Sequence, residues 1–391
     1  MRSFPGQPSV EPALDVIVVG AGIIGCSVAF YLAQTGRNVL VLERDHIGAG
    51  PSHVAPGMLA PQVKAHYDDA FFALTLAARA EHAPLAALLR DMVGIDVECR
   101  ATGALRVAAD EAERAELRRR LSWQQARGLR VEWLEPDDLG ACEPLLHGPS
   151  GQRLLGGLWF PDEAQVRAVR LVQALALASA RQGVRFLEGI GVQRFIRDGS
   201  RVKGVHAGSR TYSAESFVVT AGVGSADLGE SIGMTIPVRP VKGQVIHLQA
   251  LDRAPAHILW AGHCYLVPRV DGEVVLGATE EDGNDDPRPT LAGLEMLATE
   301  ALELVPTIGT VRFATVQGGL RPATPDRYPI IGWAPTIENL LIATGHFRAG
   351  ILLGPLTGKY VAKMLNQGAI VEEIRPFGLE RLASVRPEAL N

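Results

Sequence analysis

An α/β fold with two unlike sheets, one parallel and one mixed and largely antiparallel, is what this 391-residue sequence predicts. Three observations carry that prediction. The chain opens on an apolar strand, a glycine-rich turn, a small-residue helix and a second apolar strand, the βαβ unit of a parallel sheet. Its middle holds short strands and a hairpin signal in place of alternating helices and strands. An apolar strand and helix return at the C-terminus, so the first domain is discontinuous. The length also exceeds one ordinary core, which points to two domains.

The elements follow in order. Asp15–Val19 is an apolar strand, Ile23–Gln34 a helix stopped by Gly36, and Asn38–Glu43 the next strand. Val16–Gly36 runs 21 residues without a charge, which a hydropathy window reads as a membrane span. Gly20, Gly22 and Gly25 in its middle divide it into a buried strand, turn and helix. Ala70–Met92 is helical with an interruption at Pro84, Ala104–Val107 is a strand, and Glu111–Arg127 and Gln165–Gln182 are helices. Val202–His206, Ser216–Thr220, Val245–Gln249, Tyr265–Arg269 and Val274–Gly277 are short strands, the last two joined by an Asp271-Gly272 hairpin turn. Thr290–Leu304 is a helix, Leu340–Ala343 a buried strand, and Gly354–Leu365 a final helix with Pro355 in its first turn. The expected division gives 15-95, 165-240 and 321-391 to the first domain, and 96-164 and 241-320 to the second. Residues 1-14, rich in proline, read as a flexible tail without the regions of a signal peptide.

Composition excludes several classes. Lys plus Arg number 38 against 43 Asp plus Glu, a net charge of −5, so no basic surface for nucleic acid is expected. Four cysteines, none in a CxxC pair, need no disulfide framework and fit a reducing cytoplasm. The ten histidines show no metal-ligand spacing, and no metal is expected. A GxSxG nucleophile elbow and a membrane-binding amphipathic helix are both missing from the sequence.

Chemistry enters at Gly20-Ala21-Gly22-Ile23-Ile24-Gly25, a GxGxxG between strand and helix. Gly20 permits the tight turn, Gly22 lets the backbone approach a pyrophosphate, and Gly25 lets helix and strand pack closely. Helix N–H groups then face the phosphates. Glu43, ending the second strand, can accept both ribose hydroxyls and would repel a 2′-phosphate. NAD and FAD share this fingerprint. The small-residue loop that follows, Gly48-Ala49-Gly50-Pro51-Ser52-His53 and Pro56-Gly57-Met58-Leu59, suits the longer FAD better than another βα unit would. Farther on, Arg321 stands between Leu320 and Pro322, just after an apolar strand; a guanidinium there is either a carboxylate ligand or a surface residue of a turn. Tyr265 is either a polar contact or a core aromatic.

These residues carry a resemblance. The chain resembles the FAD-dependent D-amino acid oxidase superfamily, and within it the glycine oxidase branch that serves thiamine biosynthesis. The likeness runs from about Asp15 to the C-terminal helix. It rests on VIVVGAGIIG with Glu43, PSHVAPGML, VVTAGVGS, PVKGQ, HCYLVPR, GATEE, GLRPATPD and GHFRAGILLGP. The resemblance implies a Rossmann-type FAD-binding domain beside a substrate domain. It implies that Ile23, Ile24, Glu43, Arg44, Pro51, Ser52, Pro56, Gly57 and Met58 line the cofactor, with Val192 on the adenine side. It places His346, Phe347, Arg348, Ala349, Gly350, Ile351 and Leu352 beside the isoalloxazine ring. Arg321 looks like the carboxylate anchor and Tyr265 its second ligand, with Arg348 near the amine; His263 is given no catalytic role. Hydroxylic residues are usual where Pro51 and His53 stand here.

The implied reaction is oxidation of glycine or a similarly small amino acid or amine, with oxygen as acceptor, yielding peroxide and an imine that hydrolyses to glyoxylate and ammonia or enters thiazole assembly. The resemblance also implies a homotetramer; no membrane association is expected, since no membrane-binding amphipathic helix stands out. Rival readings are a D-amino acid or sarcosine oxidase, a dehydrogenase passing electrons to a quinone, a non-catalytic flavin subunit, and an NAD dehydrogenase. The Arg321, Tyr265 and Arg348 constellation argues against the scaffold reading, since a scaffold needs no carboxylate clamp.

Overall fold

The computed structural model describes residues 13–146, 154–249 and 254–382. The expected tail lies outside the described residues up to residue 12. Ala13 and Leu14 are held by hydrogen bonds from Asn38 Nδ2 and the Glu215 N–H.

A six-stranded sheet forms one half. Its spatial order is Ile330–Trp333, Leu340–Thr344, Ser216–Val219, Val16–Val19, Val39–Leu42 and Arg185–Leu187. All neighbours are parallel except the first pair. These strands are continuous runs of Val, Ile and Leu because both sheet faces are covered. Helix Ile23–Ala33 is buried on nearly every side, which accounts for the uncharged stretch without a membrane. Among the described residues, no helix is long and apolar enough to cross one.

The last helix packs against Ile23–Ala33 through two glycines one turn apart. A Cβ on Gly354 would lie 2.6 Å from Ile23 Cγ1, and one on Gly358 would lie 2.5 Å from the Ser27 backbone. This helix spans Gly350–Gln367, so it begins four residues before the expected start at Gly354. Gly-Pro reads locally as a start signal, but burial of Ile351, Leu352 and Leu353 extends the helix forward. Helix Ala70–Val93 likewise runs through Pro84 without the expected break. Pro84 and Ala80, whose carbonyl loses its donor, both lie on the exposed face, while Ala78, Leu85 and Leu89 anchor the buried one.

The second half is a nine-stranded mixed sheet. Its path runs Glu281–Asp282, Arg239–Gln249, Glu273–Gly277, Cys264–Pro268, Ile258–Ala261, Ala104–Val107, Gly157–Phe160 and Glu132–Leu134. Every pair is antiparallel except Ile258–Ala261 with Ala104–Val107. The Asp271-Gly272 turn joins its strands as expected. A twelve-residue strand, Arg312–Ala323, pairs antiparallel with the whole of Arg239–Gln249. Arg321 therefore lies within a strand and not in a surface turn after one. Gly318 and Gly319 in that strand serve close approach: a Cβ on Gly318 would meet the Pro287 carbonyl oxygen at 2.1 Å. A small antiparallel sheet of Val192–Asp198, Arg201–Ala207 and Arg210–Tyr212 covers the first half's flank.

Candidate active site

One cavity of about 1570 Å³ runs between the two large sheets. At one end, the strand Val16–Val19 stops at Gly20 and the helix begins at Ile23. Gly20 has φ +103°, a conformation L side chains avoid, and its missing Cβ would lie 2.7 Å from the Thr220 carbonyl oxygen. A Cβ on Gly25 would collide with the Gly20 oxygen at 1.8 Å. Gly22 differs: a Cβ there would meet only Ser52 Oγ, at 3.2 Å, and the rest of its surroundings are cavity. Two of the three glycines thus shape the turn, and the third keeps backbone open to a ligand.

Side chains fix the surrounding loops. Ser52 Oγ accepts the Ile23 N–H at 3.0 Å, tying the 51–54 turn to the helix start. Glu43 accepts from the Ala21 N–H at 2.7 Å and the Asp45 N–H at 2.9 Å, one on each carboxylate oxygen. Thr220 Oγ1 donates to the Val19 and Gly20 carbonyls, so VVTAGVGS buttresses the glycine turn. Ser225 Oγ bonds Thr344 Oγ1 at 3.0 Å, linking that motif to the strand before GHFRAG.

The cavity wall includes Gly20, Gly22, Ile23, Ile24, Glu43, Arg44, Pro51, Ser52, Pro56, Met58 and Val192. It continues with every residue from His346 to Leu352. Gly25 and Gly57 stand behind it; Gly57, at φ +71°, backs onto the Val166 carbonyl, 1.9 Å from where its Cβ would be. His346 is buried, within 3.1 Å of Thr357 Oγ1, and burial pushes its pKa down to about 3, so it is a neutral imidazole. Phe347 holds φ +46°, strain that this turn imposes just before the helix at Gly350.

Tyr265 and Arg321 line the other end. They come from two different strands, and each lies over a glycine of a further motif, PVKGQ for Arg321 and GATEE for Tyr265. A Cβ on Gly243 of PVKGQ would fall 2.1–2.4 Å from the Arg321 guanidinium. One on Gly277 of GATEE would fall 2.6 Å from the Tyr265 hydroxyl. Arg321 Nη1 donates to the Thr279 carbonyl at 2.9 Å and the Lys242 carbonyl at 3.3 Å. Among the described residues no carboxylate forms an ion pair with it. Burial lowers its pKa, opposed by Tyr265 and Glu281. Burial likewise pushes the Tyr265 hydroxyl up to about 12, against the pull of Arg321 and Arg348. A neutral phenol therefore stands beside a half-buried guanidinium that forms no ion pair with a carboxylate among the described residues, a receptor for one carboxylate.

Arg348 is also on the wall, but it is half-exposed and ion-paired with Glu280, which holds Arg327 on its other oxygen at 2.9 Å. His263 lines the cavity too. Glu280, within the GATEE motif, and Lys64, Arg106 and Trp260, which no quoted motif contains, complete this end. No local motif marks Lys64, Arg106 or Trp260; only the packing of a short helix on remote strands brings them together. Arg269, in HCYLVPR, is structural: it donates to Gln165 Oε1 at 2.8 Å and to the Pro56 carbonyl, pinning the loop after Pro56 to the hairpin.

A parallel sheet with a glycine turn at one end of a cavity, and an uncompensated arginine at the other, defines a dinucleotide-dependent oxidoreductase of acidic substrates. The chain belongs to the DAO family of FAD dependent oxidoreductases, matched over residues 15–364. It is 33% identical over 372 residues to a glycine oxidase of Geobacillus kaustophilus, covering 94% of this chain and 97% of the relative. It is 31% identical to the bifunctional protein ThiO/ThiG of Trichormus variabilis, over 90% of this chain and 52% of that longer protein. The crystal structure of the Geobacillus kaustophilus glycine oxidase superposes with a TM-score of 0.89, covering 93% of this chain and 98% of that one.

The protein is thus an enzyme with FAD as its cofactor. The residues present fit that group: a turn left open at Gly22, a helix start facing the cavity, and an acidic strand end at Glu43. Four free cysteines and no grouping of metal ligands occur among the described residues.

Proposed function

We propose that this enzyme oxidises glycine, or an amine of similar size, to the imine, with oxygen as electron acceptor. Overall, glycine, oxygen and water give glyoxylate, ammonia and hydrogen peroxide, or the imine enters thiamine thiazole synthesis. The observation that carries the reading is Arg321, half-buried in the cavity wall, bare of any carboxylate ion pair among the described residues, and backed by the neutral Tyr265 hydroxyl. A substrate carboxylate supplies the missing charge there, fixing which carbon of a small substrate faces the cofactor. The relatives named above support the choice of glycine.

Bound FAD supplies the two-electron acceptor; the chain supplies position and exclusion of water. Gly20, Gly22 and Gly25 shape the pyrophosphate turn, Glu43 takes the ribose, and Ile23, Ile24, Arg44, Pro51, Ser52, Pro56, Met58 and Val192 line the cofactor, with Gly57 behind them. His346–Leu352 lie along its ring, and the Gly350 helix start directs positive dipole toward the cavity. Arg321 anchors the carboxylate, Tyr265 donates a second hydrogen bond, and Arg348 closes over the substrate after release from Glu280. In this reading 15-95, 165-240 and 321-391 hold the cofactor, 96-164 and 241-320 the substrate, and the enzyme is a cytoplasmic homotetramer.

An anaerobic visible spectrum of the purified holoenzyme before and after glycine tests it. Bleaching of the oxidised-flavin bands with glycine, followed by peroxide release on admitting air, is the expected result. Bleaching with D-alanine or sarcosine but not glycine would move the enzyme to another amine.

A further inference from the structure

The substrate end of the cavity carries more positive charge than one carboxylate needs. Lys64 ends the short helix Pro61–Lys64, and its ammonium lies 5.8 Å from the Trp260 ring centroid. The Arg106 guanidinium lies 5.6 Å from the same ring. Trp260 in turn packs on Tyr265, centroids 5.3 Å apart. Lys64, Arg106, Trp260 and Tyr265 all line the cavity. Like Arg321, neither Lys64 nor Arg106 has an ion pair with a carboxylate among the described residues. Carboxylates of the cavity wall are engaged away from them: Glu280 holds Arg327 and Arg348, Asp326 holds Arg381, Asp45 holds Arg44, Asp69 accepts the Phe72 N–H and the Tyr328 hydroxyl, and Glu43 holds backbone N–H groups.

We propose that Lys64, assisted by Arg106, is a second anion anchor, and that the site accepts small amino acids bearing a second carboxylate. This rests on the amine-oxidising reading of the same cavity. The first carboxylate takes Arg321 and Tyr265; the second reaches past Trp260 to Lys64. Burial, helped by the Arg348 and Arg321 charges and opposed by Glu163, pushes the Lys64 ammonium down to about 8. Its charged form is therefore short of compensation, which a bound anion provides. Burial also pushes Arg106 down to about 10. Two arrangements of the second carboxylate fit this chemistry. On the nitrogen, as in iminodiacetate, substrate, oxygen and water give glyoxylate, glycine and hydrogen peroxide, with cleavage of one C–N bond. On the α-carbon, as in D-aspartate, they give oxaloacetate, ammonia and hydrogen peroxide. In both, two electrons pass from the C–H bond through FAD to oxygen.

The test compares two ligands that lack an oxidisable amine and differ by one carboxylate, diglycolate and methoxyacetate. Each is titrated into holoenzyme and followed by perturbation of the flavin spectrum. Wild type should bind diglycolate at least about tenfold more tightly, the worth of one charge-assisted contact. Lys64→Gln should bring that ratio to within about threefold, and Lys64→Arg should keep it. In turnover, the ratio of kcat/KM for iminodiacetate or D-aspartate to that for glycine should fall with Lys64→Gln, whichever dicarboxylate is used, and the better one locates the second carboxylate. Equal affinity for the two ligands in wild type would overturn the proposal. So would a Lys64→Gln variant that weakens both alike. Either result can occur while glycine still bleaches the flavin, so the two readings fail separately.

Discussion

The cavity's two ends are built from different materials. At the nucleotide end the glycine turn presents backbone, an open glycine and helix N–H groups, beside a carboxylate fixed by two main-chain donors. The substrate end presents side chains: a guanidinium, a phenol, an ammonium and an indole, carried on separate strands and a short helix. Glycines matter at both, for opposite reasons. Gly22 is bare so that the backbone itself can be approached. Gly243 and Gly277 are bare so that Arg321 and Tyr265 can lie across them. A generic phosphate group is met by generic backbone, whereas a particular substrate is met by residues that can vary without disturbing the sheet.

Substitutions should separate the two ends. Arg321→Met should have the largest effect, lowering kcat/KM for glycine by about 10²–10⁴-fold, since the bound carboxylate loses its charge partner. Flavin content should stay unchanged, as measured by the absorbance ratio of flavin to protein. Loss of flavin in this variant would break the division between ends. Gly277→Ala comes next: its Cβ displaces the Tyr265 hydroxyl, and kcat/KM should fall by about 10–10²-fold, a lost hydrogen bond plus local strain. Tyr265→Phe, which loses only the hydroxyl, should cost less than Gly277→Ala; the reverse order would place the effect elsewhere than at the phenol. At the nucleotide end, Glu43→Gln leaves one amide NH₂ against backbone N–H donors. It should weaken FAD by about tenfold, read as dissociation on dilution, with the KM for glycine of the FAD-saturated enzyme unchanged.

The smallest effect concerns a carboxyl beneath the substrate end. Glu163 is fully buried, accepts the Gln62 N–H at 2.6 Å, and lies 3.5 Å from Arg79 Nη1. Its other oxygen has no partner. Burial pushes its pKa up to about 8, against Arg79, Gln62, Lys64 and Val63. An unfolded glutamate titrates near about 4.3, so the folded chain keeps a proton that the unfolded chain releases. This contribution to stability is complete below the unfolded value and is lost as pH rises through about 8. Glu163→Gln should therefore flatten the fall of Tm between about pH 5 and 8.5 while shifting it little at the acid end. A steeper fall in the variant would show that the carboxylate is charged in the fold.

The amino-acid sequence alone determined the nucleotide end. Strand, GxGxxG, helix and Glu43 lie within 28 residues, their roles follow from local geometry, and each occupies its expected place on the cavity wall or in its turn. Family motifs further supplied Arg321, Tyr265 and Arg348. Tertiary structure decided the rest. The Arg312–Ala323 strand runs through Arg321, which the sequence leaves either as a carboxylate ligand or in a turn after an apolar strand; Gly318 and Gly319 fit within it because their surroundings are crowded. The last helix starts at Gly350, since packing on Ile23–Ala33 outweighs the local Gly-Pro signal. Lys64, Arg106 and Trp260 carry no mark in the chain. They are 42 and 154 residues apart in sequence, and what joins them is the crossing of a short helix with two paired strands. Backbone recognition uses neighbours in sequence and can be read there. Side-chain recognition uses neighbours in space, and those exist only once the mixed sheet has closed.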